Sequence, residues 1–199
     1  REGVGAAEAA QLLANGCILA RCAGPSEFGA RSLGNRSILA DPSKADNLKQ
    51  INDAIKQRDF WMPFTPSILS EYVDEYLENP KGIISPFMTI GFASKPDVRD
   101  AMAASLHPGD FSARPQFVQK ESNQDYWNLI EEFRKLTGIP LLLNTSLNLH
   151  GEPMNYTVAD AARTLANSEL SYLALPGQQL LCKREAEAVA LDILGRRPR

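Results

Sequence analysis

Ile139-Pro140-Leu141-Leu142-Leu143, followed by Asn144-Thr145-Ser146-Leu147-Asn148-Leu149-His150-Gly151-Glu152-Pro153, is the stretch whose reading decides the fold. Its first part is an apolar run of strand length. Its second is a polar loop of amides and hydroxyls that contains one glycine. A second stretch has the same build in reverse order: Glu27-Phe28-Gly29-Ala30-Arg31-Ser32-Leu33-Gly34-Asn35-Arg36-Ser37 leads into the apolar run Ile38-Leu39-Ala40. Buried strands next to polar, glycine-containing loops belong to α/β domains, which bind ligands at their strand ends. Glycine lets the backbone approach a ligand closely, arginine offers a planar fork of donors, and Asn or Ser supplies neutral hydrogen bonds. Each loop alone reads equally well as an ordinary turn. Together, and with the lysine segment described next, they favour an anion-binding site.

Working outward, strands alternate with helices, and there is no repeat or low-complexity tract. Ala6 to Ala14 reads as a helix stopped by Gly16, followed by a strand from Cys17 to Ala20. Ser43-Lys44-Ala45-Asp46 has the form of a capping box opening an amphipathic helix, with Leu48, Ile51 and Ile55 on one face and Lys56 at its end. An aromatic loop with two prolines, Phe60 to Pro66, comes next. Ser70 to Leu77 reads as a short helix and Phe87 to Phe92 as a strand. Ser122-Asn123-Gln124-Asp125 opens a helix that Gly138 and Pro140 end, and Thr157-Val158-Ala159-Asp160 opens another. Leu170 to Leu175 and Gln179 to Lys183 read as late strands, and Ala186 to Leu194 as a terminal helix before a frayed Arg196–Arg199 tail. The expected fold is a single α/β (α+β) domain over residues 1–199, with a twisted mixed sheet flanked by helices.

The chain has 199 residues and 44% hydrophobic content, enough for one full core. No apolar run approaches the roughly 20 residues that span a bilayer, so no membrane partner is expected. A chain opening on Arg1 is expected to be a fragment or a processed piece of something longer. Cys17, Cys22 and Cys182 cannot all pair, which favours reduced thiols and a cytoplasmic setting, with Cys17 and Cys182 as small core residues. The formal net charge is −3, which argues against nucleic acid. Between Arg21 and Arg58, however, Arg21, Arg31, Arg36, Lys44, Lys49, Lys56 and Arg58 outnumber Glu27, Asp41, Asp46 and Asp53, a local +3. A basic region in an acidic chain suits a small anionic ligand.

Five segments carry a family resemblance: Glu27 to Leu39, Ile51-Asn52-Asp53-Ala54-Ile55-Lys56-Gln57-Arg58, Ser85-Pro86-Phe87-Met88, Ala113-Arg114-Pro115-Gln116, and Asn144 to Asn148 with Gly151-Glu152-Pro153. In order and over roughly Gly24 to Gly177, they resemble the carboxy-terminal domain of the O-carbamoyltransferases, which include the nodulation-factor and antibiotic carbamoyltransferases. Ala30 stands where that family more often has Pro, and Leu147 where it has an aromatic.

The resemblance implies a fold like that of threonylcarbamoyl-adenylate synthase. It also implies an activity: forming carbamoyl-adenylate and pyrophosphate from ATP and carbamoyl phosphate. The carbamoyl group would then pass to an acceptor hydroxyl held by an amino-terminal, metal-containing domain outside this chain. His107 and His150 form no ligand cluster in sequence, so no metal is expected in this part, while Mg²⁺ accompanying ATP and a homo-oligomer are left open. Two unit charges about 4 Å apart repel by about 4 kcal/mol at an effective dielectric near 20, so the two anionic substrates need cations between them. Arg31, Lys56, Arg114 and Ser146 are the expected catalytic residues, with Arg36, Met88, Asn144, Thr145 and Asn148 contacting the nucleotide or carbamoyl phosphate. The plainer readings are a loop-bracing Arg36, a helix-end Lys56, a pocket-wall Met88, amides that only satisfy their own loop, and His150 as a loop residue rather than a general base. A non-catalytic nucleotide- or RNA-binding module is the rival function.

Overall fold

The structure is a computed structural model and describes residues 3–56 and 63–196; the expectations for Arg58, Phe60 and Trp61 and for the last three residues lie outside them. The chain opens with α1 (Ala6–Ala14), β1 (Leu19–Cys22), β2 (Arg36–Ala40) and α2 (Asp46–Ile51), which a π-helical turn over Asn52–Lys56 prolongs. After β3 (Thr65–Leu69) come a 3₁₀ turn over Ser70–Tyr72 and the short α3 (Val73–Tyr76). A small hairpin, β4 (Phe92–Ala93) and β5 (Ser112–Ala113), brackets 3₁₀ turns over Pro96–Ser105. β6 (Gln116–Val118), α4 (Gln124–Thr137), β7 (Leu141–Ser146), α5 (Val158–Ala166), β8 (Tyr172–Leu175), β9 (Gln179–Cys182) and α6 (Glu187–Ile193) complete the order.

Seven strands form one sheet in the order β6-β3-β7-β2-β1-β8-β9. β1 runs parallel to β8 and β3 to β6, while the other neighbours are antiparallel, so the sheet is mixed as expected. The two-residue period of a strand divides the core between its faces. Leu19, Leu39, Leu69, Leu142 and Tyr172 pack with α1 and with Tyr126, Leu129, Ile130 and Phe133 of α4. Their neighbours Ala20, Ile38, Ala40, Leu143 and Leu173 pack with Ile51, Ile55, Ala161 and Leu165 from the other side. A third cluster joins Ile68, Phe117 and Leu141 to Val73, Tyr76 and Met102.

The helix punctuation formed as the sequence indicated at α4 and α5. Asn123 caps α4 through its side chain and Gly138 ends it in the left-handed conformation. Thr157 and Asp160 close a reciprocal capping box on α5.

Other expectations are corrected. The strand expected from Cys17 to Ala20 starts at Leu19, because the Cys17 N–H bonds Leu12 and the Gly16 N–H bonds Leu13, a Schellman ending that holds Cys17 on the helix. The Ser43–Asp46 box does not form: the Ser43 hydroxyl donates to Asp41, and α2 begins at Asp46 without a side-chain cap. Ser70 to Leu77 is split between a 3₁₀ turn and α3. Phe87 to Phe92 is not a strand. Met88 takes φ +55°, a left-handed turn that breaks extension, and only Phe92 pairs. Asn144 to Ser146 belong to β7 rather than to a loop. Cys17 and Cys182 do pack against the first core cluster, partly buried, while Cys22 is fully buried. Arg196 is not frayed, since its guanidinium donates to the Gly3 carbonyl at 2.6 Å.

Candidate active site

The carboxyl end of β7, the amino end of β3 and the loop entering β2 meet at one end of the sheet, because Ser37 pairs with Ser146 and Thr65 with Asn144. The loop entering β2 is folded around an acid. Glu27 Oε1 accepts backbone N–H groups of Leu33 (2.7 Å), Asn35 (2.7 Å) and Arg36 (3.1 Å). Three of the loop's amides therefore serve an internal carboxylate, and the Arg31 side chain of the same loop is exposed. Gly34 is required in this loop: at φ +112°, a Cβ there would lie 2.3 Å from the Tyr126 ring. Burial pushes the Tyr126 phenol well above its ordinary range, with Ser67, Arg21 and Asn144 opposing only part of that.

A buried polar network forms the floor. Ser32 Oγ donates to Asn144 Oδ1 (3.1 Å), and Asn144 Nδ2 donates to Ser67 Oγ (2.9 Å) and to the Ser32 carbonyl (3.2 Å). Ser67 Oγ donates to Gln116 Oε1 (2.7 Å), and Gln116 Nε2 donates to the Leu33 carbonyl (2.9 Å). Thr65 Oγ1 donates to the Asn144 carbonyl (3.0 Å) and approaches Met88 Sδ at 3.2 Å. Such a fully connected network holds its members in one arrangement.

Above this floor is a small polar pocket of about 60 Å³, lined among others by Arg31, Ser32, Thr65, Met88, Arg114 and Asn144 to Ser146. Among the described residues, no carboxylate lines it. Larger and more apolar cavities lie elsewhere, about 160 Å³ beside α1 and the β8–β9 hairpin and about 240 Å³ around Phe111, but neither gathers cations in this way. Lys56 reaches the pocket wall from the π-helical turn. Its buried ammonium donates to Asn148 Oδ1 (2.7 Å) and Ser146 Oγ (3.1 Å), and the latter donates in turn to Asn148 Oδ1 (2.6 Å).

Of the expected residues, Arg31, Arg114, Ser146, Met88, Asn144 and Thr145 come together around one pocket, with Lys56 bonded to Ser146. Two are given other work. Arg36 is buried, and its Nε and one terminal nitrogen donate to the carbonyls of Tyr156, Ala23, Gly24 and Asn35, so it ties loops together and does not line the pocket. Asn148 donates to the Leu149 and Glu152 carbonyls and accepts from Lys56 and Ser146, so it organises the wall. Glu27, Ser32, Ser67 and Gln116 were not singled out. Glu27 and Ser32 lie in the quoted Glu27–Leu39 segment and Gln116 in the Ala113–Gln116 motif, whereas Ser67 lies in none. Among the described residues, no group of three His, Cys, Asp or Glu is placed to hold a metal ion. No helix among them is long and apolar enough to cross a membrane.

A mixed-sheet α/β domain with a cationic pocket at its strand ends is thus what the fold and site define. The chain belongs to the family described as the carbamoyltransferase C-terminus, whose model matches residues 10–183. It is 43% identical over 182 residues to nodulation protein NolNO of Sinorhizobium fredii, covering 91% of this chain and 26% of that one. It is 41% identical over 182 residues to nodulation protein NolO of Bradyrhizobium diazoefficiens, covering 91% and 33%. The chain therefore spans about a quarter to a third of the length of these relatives. Among solved structures, full-length HypF in its phosphate- and nucleotide-bound form shares the fold, with a TM-score of 0.53 and 12% identity over 85% of this chain and 22% of HypF.

Proposed function

We propose that this chain is the activating domain of an O-carbamoyltransferase, forming carbamoyl-adenylate from ATP and carbamoyl phosphate for transfer to an acceptor hydroxyl held elsewhere in the whole protein. One observation carries the reading. Arg31 and Arg114, from motifs far apart in sequence, line one pocket with no carboxylate among its described lining residues, and its wall residue Ser146 is bonded to Lys56. The nucleotide- and phosphate-bound state named for HypF fits the same chemistry.

The atoms of the reaction set what the site has to do. Carbamoyl phosphate gives up inorganic phosphate to water, the resulting carbamate oxygen attacks the α-phosphorus of ATP, and pyrophosphate leaves. Every reactant is an anion, so the barrier is largely electrostatic and falls when fixed cations are already in place. Arg31 and Arg114 can each grip two phosphate or carbamate oxygens through their forks. Lys56 places a point charge beside Ser146, on the wall where the α-phosphate would lie. Ser146 and the backbone of Asn144–Ser146 supply neutral bonds, and Met88 and Thr65 close one side. No covalent enzyme intermediate is needed. Mg²⁺ arriving with ATP would be carried by the triphosphate.

The test is a pyrophosphate-release assay on the full-length protein, with and without carbamoyl phosphate. Release should require carbamoyl phosphate, and Arg31→Ala should abolish it while leaving ligand-free melting nearly unchanged, since Arg31 is exposed. Release independent of carbamoyl phosphate, or persisting in the variant, would favour a plain nucleotide-binding module.

A further inference from the structure

Lys56 is gripped at both ends by a single short segment. Its ammonium is held by Ser146 Oγ and Asn148 Oδ1, and the Asn148 carbonyl lies 3.4 Å away. Its own backbone carbonyl lies 2.6 Å from Nδ1 of His150. That carbonyl belongs to the π-helical turn Asn52–Lys56. A carbonyl oxygen only accepts, so His150 Nδ1 carries the proton. The ring is otherwise exposed and is absent from the pocket lining, so neither core packing nor contact with a ligand in the pocket explains it. Single-turn π bulges recur at functional sites because they aim one side chain off the regular helical track. Here the aimed side chain is Lys56.

We infer that His150 is a positioning residue: by donating from Nδ1 to the Lys56 carbonyl, it fixes the π-helical turn Asn52–Lys56 so that the ammonium meets Ser146 and Asn148 at the pocket wall. The segment from Ser146 to His150 thus sets both the backbone and the head group of the same lysine. Gly151, at φ +78°, turns the chain immediately after it. A positioning role also separates His150 from a general base, since its Nδ1 is a donor to the fold. The consequence for ATP rests on the proposed function; the clamp itself does not.

The experiment uses His150→Ala and His150→Asn in the whole protein. The Asn amide nitrogen occupies nearly the place of Nδ1 and can donate to the same carbonyl, but it cannot act as a base. Amine acylation at Lys56, read by mass spectrometry, should be slow in the native protein, several-fold faster in the Ala variant and slow again in the Asn variant. The ¹⁵N shifts of His150 should show the Nδ1–H form. ATP affinity should fall roughly tenfold in the Ala variant, the scale of one lost hydrogen bond, and return to near native in the Asn variant. Unchanged Lys56 labelling in the Ala variant, an Asn variant as poor as Ala, or an Nε2–H tautomer would overturn the inference. If the native protein binds no ATP, the proposed function falls, and labelling and tautomer still decide this point.

Discussion

At the residue scale, one hydrogen atom carries much of the site. Gly34 faces the Tyr126 ring so closely that any Cβ would lie inside it, and its φ of +112° already disfavours L side chains. Tyr126 itself is fully buried and cannot retreat. Overpacking and backbone strain each cost about 1–3 kcal/mol, so Gly34→Ala should destabilise by about 3 kcal/mol. For a domain of this size that lowers Tm by roughly 6–12 °C, which thermal unfolding followed by circular dichroism would read. A shift under one degree would show that the loop yields freely. Arginines show the limit of reading such loops from sequence. Arg31 and Arg36 sit five residues apart in the same basic stretch, yet one faces the pocket and the other is spent on four backbone carbonyls. Nothing local distinguishes them. The difference comes from the fold, which brings Arg36 the carbonyls of Ala23 and Gly24 and also that of Tyr156, 120 residues away.

At the scale of elements, what was legible depended on how local the cause is. The caps of α4 and α5 are set by four-residue windows, and both formed as read. β3 was missed because Pro66 argues against a strand in a sheet interior. It is tolerated because Pro66 pairs only with Leu143 of β7, while pairing to β6 begins one residue later at Ser67. The floor network was missed for a related reason, since Ser32, Ser67, Gln116 and Asn144 meet only through strand register. The α5 cap also makes a pH prediction. The Asp160 carboxyl is held below its usual range, first by the Thr157 backbone N–H and then by the Thr157 hydroxyl and the Tyr156 N–H. A depressed carboxylate stabilises the fold above its unfolded pKa, and that contribution is lost as pH falls through the folded value. Asp160→Asn should therefore lower the urea midpoint at neutral pH, and the gap between the two proteins should close as acid protonates the Asp160 carboxylate. A constant gap at all pH values would show that the carboxylate charge is not the cause.

At the scale of the whole molecule, the chain is acidic with a net charge of −3, yet among the described residues one pocket is lined with arginines and no carboxylate. That contrast separates the two functional readings. A nucleic-acid binder gathers many phosphate contacts over a broad surface and loses affinity by orders of magnitude between low and moderate salt. A pocket of about 60 Å³ with two arginines can hold only one or two oxyanion groups at a time. ATP affinity should thus fall only modestly over the same salt range, because partly buried pairs are screened weakly. Lys56→Ala and Arg114→Ala should each weaken ATP binding by about 1.5–3 kcal/mol, the scale of a hydrogen bond to a charged group. Arg36→Lys should instead act on stability, because its partners are carbonyls of the framework. Titration calorimetry on the three variants, paired with thermal unfolding of each without ligand, checks both halves. If Lys56→Ala and Arg114→Ala bound ATP as the native protein does, the cations would not form the site. A steep salt dependence with intact affinity in those variants would point to the polyanion reading, in which the charge that matters is spread over the surface.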